Sequence, residues 1–68
     1  MNHDAFNMSI RKFLKHVGVH SQREIEAAVE KAMASGRLKG NERLPATMTL
    51  RVAGVDIDVT FKDDIALE

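Results

Sequence analysis

The sequence contains no cysteine, tryptophan or tyrosine, and only one proline. Without cysteine, neither a disulfide nor a thiolate zinc site can hold these 68 residues together, so stability must come from a thin apolar core. No apolar run approaches the ~18 residues that cross a bilayer, and residues 1–12 lack the apolar segment of a secretory signal. We therefore expect one small cytoplasmic domain, residues 1–68, with no membrane association and no cofactor.

The chain also lacks net charge, with ten basic and ten acidic residues. The charges are unevenly distributed along the chain, because the first 20 residues have a net positive charge and the last 23 a net negative charge. A dedicated nucleic-acid binder usually carries a basic excess, which is missing here. The charge pattern thus favours a protein partner or self-association over nucleic acid.

The strongest pattern lies in residues 47–61, TMTLRVAGVDIDVTF, which alternate apolar and polar side chains on both sides of Ala53-Gly54. A two-residue turn there would close the hairpin by placing Val52 opposite Val55. Such a register aligns all the apolar side chains on one face of the hairpin. The predicted neighbours on that face are Leu50 with Ile57 and Met48 with Val59, and those on the other are Arg51 with Asp56, Thr49 with Asp58 and Thr47 with Thr60.

Two amphipathic helices are predicted before the hairpin. Residues 4–17 carry an apolar stripe at helical spacing, and Gly18 is a natural C-terminal cap. Ser21 and Glu24 fit a capping box that would start a second helix at residue 22, running to about Ala34. In this second helix, small alanines at 28 and 32 would let a neighbouring element approach closely.

The remaining segments complete the predicted fold. Residues 36–46 form a connector, and Pro45, which cannot donate to a strand ladder, should precede the first strand. A three-residue loop at 62–64, with Asp64 in the left-handed region, would lead into a short third strand at residues 65–67. The sequence therefore predicts an α+β domain in which two N-terminal helices pack on one face of a three-stranded antiparallel β-meander, in the order ααβββ.

Three segments carry a family resemblance: DAFNMSIRKFLK at the start, VGV-x-SQREIE after it, and LPA-x-MTL before the hairpin turn. Together with a basic, glycine-containing connector, they resemble a set of short uncharacterised bacterial proteins classed as a domain of unknown function. The resemblance covers nearly the whole chain. It implies a small α+β protein and supplies no catalytic residue.

Histidines are the candidate metal ligands. The opening Met1-Asn2-His3 could offer an amine, two amides and an imidazole to Cu(II) or Ni(II), but so short a motif arises readily by chance. His16 and His20 are four apart, yet a helix break at Gly18 would separate their faces. We therefore predict no metal site.

Paired carboxylates could serve acid–base chemistry. Asp56 and Asp58 lie two apart on the outer strand face, but Arg51 is expected opposite Asp56, and no concave pocket is implied. The interpretation that follows is an ion-paired, solvated surface. We predict that the protein is not an enzyme.

Protein interaction is the favoured function. Met8 projects away from the apolar stripe of the first helix, among Asp4, Arg11, Lys12 and Lys15. An exposed methionine with basic neighbours can serve as an adaptable contact point, whereas the alternative is that a lone exposed apolar residue is normal on a protein surface. The predicted interaction surface, which we call the basic face, consists of Met8, Arg11, Lys12 and Lys15, and a homodimer would add stability by mass action.

The alternative is weak nucleic-acid binding through a helix-turn-helix-like segment, residues 4–34. Gln22 and Arg23 would then stand at the start of the second helix, where base-reading side chains belong, with Arg11 and Lys12 on phosphate. Glu24, Glu26 and Glu30 weigh against this alternative, since they place negative charge along the reading helix.

Overall fold

A computed structural model describes all 68 residues, Met1–Glu68, and contains three elements. They are a helix, α1 (His3–Ala34), and two strands, β1 (Arg43–Val52) and β2 (Ile57–Ala66), in the order αββ. The chain divides into two compact units, Met1–Arg37 and Leu38–Glu68, which hold the helix and the strands respectively. The protein is therefore α+β, but it does not have the predicted two helices and three-stranded meander.

The first correction concerns the helices, because α1 runs unbroken for 32 residues through the predicted turn. Gly18 does not adopt a positive φ, and Ser21 is an interior helix residue, not a cap. A glycine inside a helix costs only about 1 kcal/mol relative to alanine. Breaking the helix there would forfeit several backbone hydrogen bonds, which outweighs that cost.

Both ends of α1 are capped by local hydrogen bonds. At the start, the Asn2 side chain accepts a hydrogen bond from the Ala5 amide at 3.1 Å. At the end, the Gly36 amide donates to Met33 and the Arg37 amide donates to Ala32, with Gly36 at φ 79°. These two hydrogen bonds around a glycine in the left-handed conformation form a Schellman motif. The predicted helix end at Ala34, followed by Ser35-Gly36, is thus confirmed.

The second correction concerns the hairpin register. The strands pair antiparallel with Val52 opposite Ile57, Leu50 opposite Val59 and Met48 opposite Phe61, two residues away from the predicted register. Because side chains alternate with a period of two, the residues that remain in the strands keep their faces, whereas Val55 and Asp56, predicted as strand residues, fall in the loop. The apolar face was therefore assigned correctly, and its cross-strand neighbours were not.

The connecting loop explains the shift. A two-residue turn of the favoured type I′ needs positive φ at both central residues, and type II′ needs glycine at the first. Ala53 resists that conformation, and glycines are the only residues of the chain with positive φ. The observed loop, residues 53–56, requires a single left-handed position, which Gly54 fills at φ 89°.

The third correction concerns the chain after Phe61. No loop forms at 62–64 and no third strand follows, since β2 continues straight to Ala66. Asp64 keeps a negative φ and pairs with Pro45 inside the ladder. The Leu67 amide donates a hydrogen bond to the Glu42 carbonyl, so these two opposite residues form a hydrogen-bonded pair. Because hydrogen-bonded and non-hydrogen-bonded pairs alternate along an antiparallel ladder, Pro45 and Asp64 form a non-hydrogen-bonded pair. The missing N–H of Pro45 therefore points to the open edge of the ribbon, so β1 accommodates a proline that we expected to lie before it.

Each unit presents an apolar face made by periodic spacing. On α1 the apolar stripe winds along one side at intervals of three and four and consists of Phe6, Ile10, Phe13, Leu14, Val17, Ile25, Ala28, Val29 and Ala32, with the polar Ser21 between Val17 and Ile25. On the ribbon the apolar face consists of Leu44, Ala46, Met48, Leu50 and Val52 with Ile57, Val59, Phe61 and Ile65, and it is interrupted by Asp63 opposite Ala46. No residue of the chain is buried. A helix and a two-stranded ribbon are single layers, and neither contains a second layer to cover its apolar side.

The continuity of α1 predicts opposite effects for two glycine substitutions. Gly18→Ala adds a methyl group into open space at a helical position and should stabilise the protein by about 0.5–1 kcal/mol. Gly54→Ala, the matched control, meets equally open space but at φ 89° and should cost about 1 kcal/mol. Thermal unfolding followed by circular dichroism measures both. A lower melting temperature for Gly18→Ala would instead indicate that the helix ends at Gly18, as the sequence predicted.

Candidate functional site

The basic face lies on one side of α1. Met8 is 69% exposed, and Arg11, Lys12 and Lys15 follow at i+3, i+4 and i+7, which is the spacing of neighbours on a helix surface. Because the helix is regular here, these four side chains point away from the apolar stripe. Three cations and the carboxylate of Asp4, at i−4, therefore surround a flexible thioether, which suits an adaptable protein contact.

The apolar stripe is the larger surface of the same helix. From Phe6 to Ala32 it extends about 39 Å at 1.5 Å per residue. Its largest side chains are exposed, with Phe6 at 53%, Phe13 at 49% and Leu14 at 54%. The single-helix geometry joins what the sequence presented as two separate stripes into one continuous surface, which sequence reasoning missed.

The residues of the nucleic-acid alternative do not form the predicted arrangement. Gln22 and Arg23 lie in the middle of α1, not at the start of a helix, because no turn separates residues 4–17 from 22–34. The helix-turn-helix that would have placed them in a groove is therefore wrong. What remains of that set is Arg11 and Lys12, which belong to the basic face.

The histidine pair is also corrected by the continuous helix. His16 and His20 share one face of α1, and their ring centroids lie 4.5 Å apart at an interplanar angle of 49°. His3 is the first residue of α1, directly after the Asn2 cap. No group of three or more histidine, cysteine, aspartate or glutamate side chains converges in a way that could hold a metal ion.

The carboxylate pair is separated by the observed register. Asp56 lies in the loop at residues 53–56, whereas Asp58 is in β2 opposite Arg51. The Arg51 Nε lies 3.5 Å from the Asp58 Oδ1, and both side chains are mostly exposed. The predicted partner of Arg51 was Asp56, so the ion pair exists with the other aspartate. An exposed pair of this kind contributes little to stability.

Glu42 is the most strongly organised ionisable group, and the sequence offered no periodic signal for it. Its carboxylate accepts backbone N–H hydrogen bonds from Lys39, Gly40 and Asn41, the shortest at 2.8 Å from Lys39. The bond from the Lys39 amide is the largest cause that lowers the pKa of Glu42, followed by that from Gly40. Three amides converging on one carboxylate form a small anion nest that the protein fills with its own side chain. Its role is structural, since it fixes the connector just before β1.

No helix of the protein combines the length and the apolar character needed to cross a bilayer.

Comparison with protein families gives one result. A family model described as a family of unknown function (DUF6494) matches residues 1–68, the whole chain. This confirms the resemblance to a short domain-of-unknown-function family that the sequence motifs indicated. No curated protein and no solved structure matches the chain.

The Glu42 nest predicts a pH dependence confined to acid. Because its folded pKa lies below the ordinary value of 4.5, the carboxylate stabilises the connector above that pH, and this contribution is lost as pH falls through the folded pKa. The amide proton shifts of Lys39, Gly40 and Asn41 in an NMR titration should therefore move together, with a midpoint below 4.5. Glu42→Gln should abolish the shared transition. A midpoint above 4.5 would show that the nest does not form.

Proposed function

We propose that this chain, which belongs to the family of unknown function DUF6494, is a small non-enzymatic protein-interaction module that associates with further copies of itself. The observation that carries the proposal is the lack of burial. Hydrophobic residues make up 44% of the sequence, yet neither the helix unit nor the strand unit buries a residue by itself. An apolar surface of this extent marks a site of association.

The secondary structure supports the same conclusion. An isolated two-stranded hairpin is marginally stable at best in water, and most helical stability in proteins comes from packing of an amphipathic face. Both elements therefore need a second layer. Binding that favours the folded form stabilises it by mass action, so association would supply stability as well as function.

The chemistry of the polar groups supports a role in binding over catalysis. The aspartate in β2 that could have served as an acid or base is exposed and paired with arginine. Glu42 is occupied by backbone amides of its own loop. Both carboxylates are thus already engaged, Asp58 by an ion pair and Glu42 by hydrogen bonds from its own loop.

The basic face provides a second contact surface within this proposal. It lies on the side of α1 opposite the apolar stripe, so self-association through the stripe leaves it free. Its charge suits an acidic surface on a partner protein. A module of this kind would use one side of α1 to assemble and the other to bind.

Self-association predicts a change of mass that depends on the apolar stripe. The wild-type protein should run in size-exclusion chromatography with light scattering at a multiple of 7.6 kDa. Phe13→Asp places a charge on the stripe and should shift the protein to the monomer, because an unpaired charge is costly to bury. Met8→Asp, the matched control on the opposite side, should leave the mass unchanged. A wild-type monomer at every accessible concentration would refute self-association.

The basic face predicts a separable loss of partner binding. Met8→Asp combined with Lys15→Glu removes the thioether and reverses one charge, so capture of an acidic protein partner should be abolished. Circular dichroism and light scattering should show unchanged helix content and mass, since both positions are exposed and lie off the stripe. Identical affinity-capture profiles for this variant and the wild type would remove the basic face from the proposal.

A further inference from the structure

The distribution of side-chain size along α1 is uneven. The first half of the apolar stripe carries its bulkiest residues, Phe6, Ile10 and Phe13. The second half carries Ala28 and Ala32. A helix surface with large side chains at one end and small ones at the other packs well against a copy of itself only if the copy runs antiparallel.

The spacing and the length of α1 together favour one register for that reversal. Counting Ser21, eight of the ten stripe positions are symmetrical about residue 19, which is close to the middle of α1, so an antiparallel copy brings together pairs of positions that are equally far from it. Phe6 then meets Ala32 of the second copy, and Ile10 meets Ala28. The remaining two pairs, closer to the centre, are Phe13 with Ile25 and Val17 with Ser21. Two of the four contacts thereby match a large side chain with an alanine, the alternation by which packed layers interdigitate.

Two stripe residues, Leu14 and Val29, have no such partner and fall opposite Glu24 and Ser9. A register centred on residue 21 would give both an apolar partner, but it would place Phe6 beyond the end of the partner helix.

The charges of α1 favour the same direction. Residues 3–17 hold three basic residues against Asp4, while residues 18–34 hold Glu24, Glu26 and Glu30 against two basic residues. An antiparallel pair sets the basic half of each helix beside the acidic half of the other. A parallel pair would instead place basic halves together and all the bulk at one end.

We infer that the partner of the apolar stripe is a second copy of this chain, bound through α1 in antiparallel orientation with Ile10 opposite Ala28. This inference rests on the proposed self-association and adds its surface, direction and register. The contact is isologous, so every pair occurs twice about a two-fold axis near residue 19. The basic faces of both copies stay on the outside of the pair.

A size swap tests the register. Ile10→Ala leaves a cavity and Ala28→Ile overfills the contact, so each should raise the dissociation constant of the dimer at least about tenfold. The double variant Ile10→Ala/Ala28→Ile exchanges the two side chains, and in the antiparallel dimer alanine again meets isoleucine. Its dissociation constant, measured by analytical ultracentrifugation, should return to within about threefold of the wild type.

The outcomes separate this inference from the proposed function. If the wild type is a dimer but the double variant shows the two single effects added together, the antiparallel register is overturned while self-association stands. If the wild type is a monomer, both fall. Circular dichroism of each variant establishes that helix content is retained.

Disulfide trapping provides a second test that does not depend on packing energies, since the chain has no native cysteine. Mixed single variants Ile10→Cys and Ala28→Cys should form a mutual cross-link under mild oxidation. Either variant alone should not, because its two cysteines would lie about 27 Å apart in the antiparallel dimer. Met8→Cys mixed with Ala28→Cys is the matched control and should give no cross-link. Efficient cross-linking of Ile10→Cys with itself would indicate a parallel pair and overturn the inference.

Discussion

An amphipathic layer is stable only when a second layer covers its apolar side, and this requirement governs the whole protein. The helix unit and the strand unit each form one layer. Each has a well-formed apolar face, each has sound capping or turn geometry, and neither contains a buried residue. Local chemistry thus builds the elements, whereas their stability depends on contacts that a single helix or a two-stranded ribbon cannot supply by itself.

The uninterrupted course of α1 turns separate features into a coherent surface. Since the helix passes through Gly18 without a break, the stripe that starts at Phe6 continues in phase to Ala32. The same continuity places His16 beside His20 and takes Gln22 and Arg23 away from a helix start. One helix therefore presents an apolar side and a basic side, a division of labour that two short helices at an angle would not provide. Both proposals made above depend on this geometry.

The predictions were wrong where two alternative local conformations differ by only a small free energy. Gly18 and the Ser21–Glu24 spacing both indicated a helix boundary, but a glycine interior to a helix costs about 1 kcal/mol, less than a broken helix loses. At the hairpin, Ala53-Gly54 suggested a two-residue turn, and the reluctance of alanine to adopt positive φ moved the loop to residues 53–56. The Glu42 nest was missed because its partners are backbone amides, which have no signature in residue type.

Side-chain periodicity by itself determined which residues share a face within each segment: the two halves of the apolar stripe, the basic face around Met8 and the apolar side of the ribbon all follow from spacing. The helix end at Gly36 follows from residue type, because glycine adopts positive φ readily. The shared faces are insensitive to where an element breaks, since a shift of two in a strand leaves its faces unchanged. Only the three-dimensional structure decided that residues 3–34 form one helix, that Arg51 pairs with Asp58, and that β2 continues through residues 62–64. Those outcomes depend on backbone hydrogen bonds and φ preferences summed over many residues, and no single motif reports that sum.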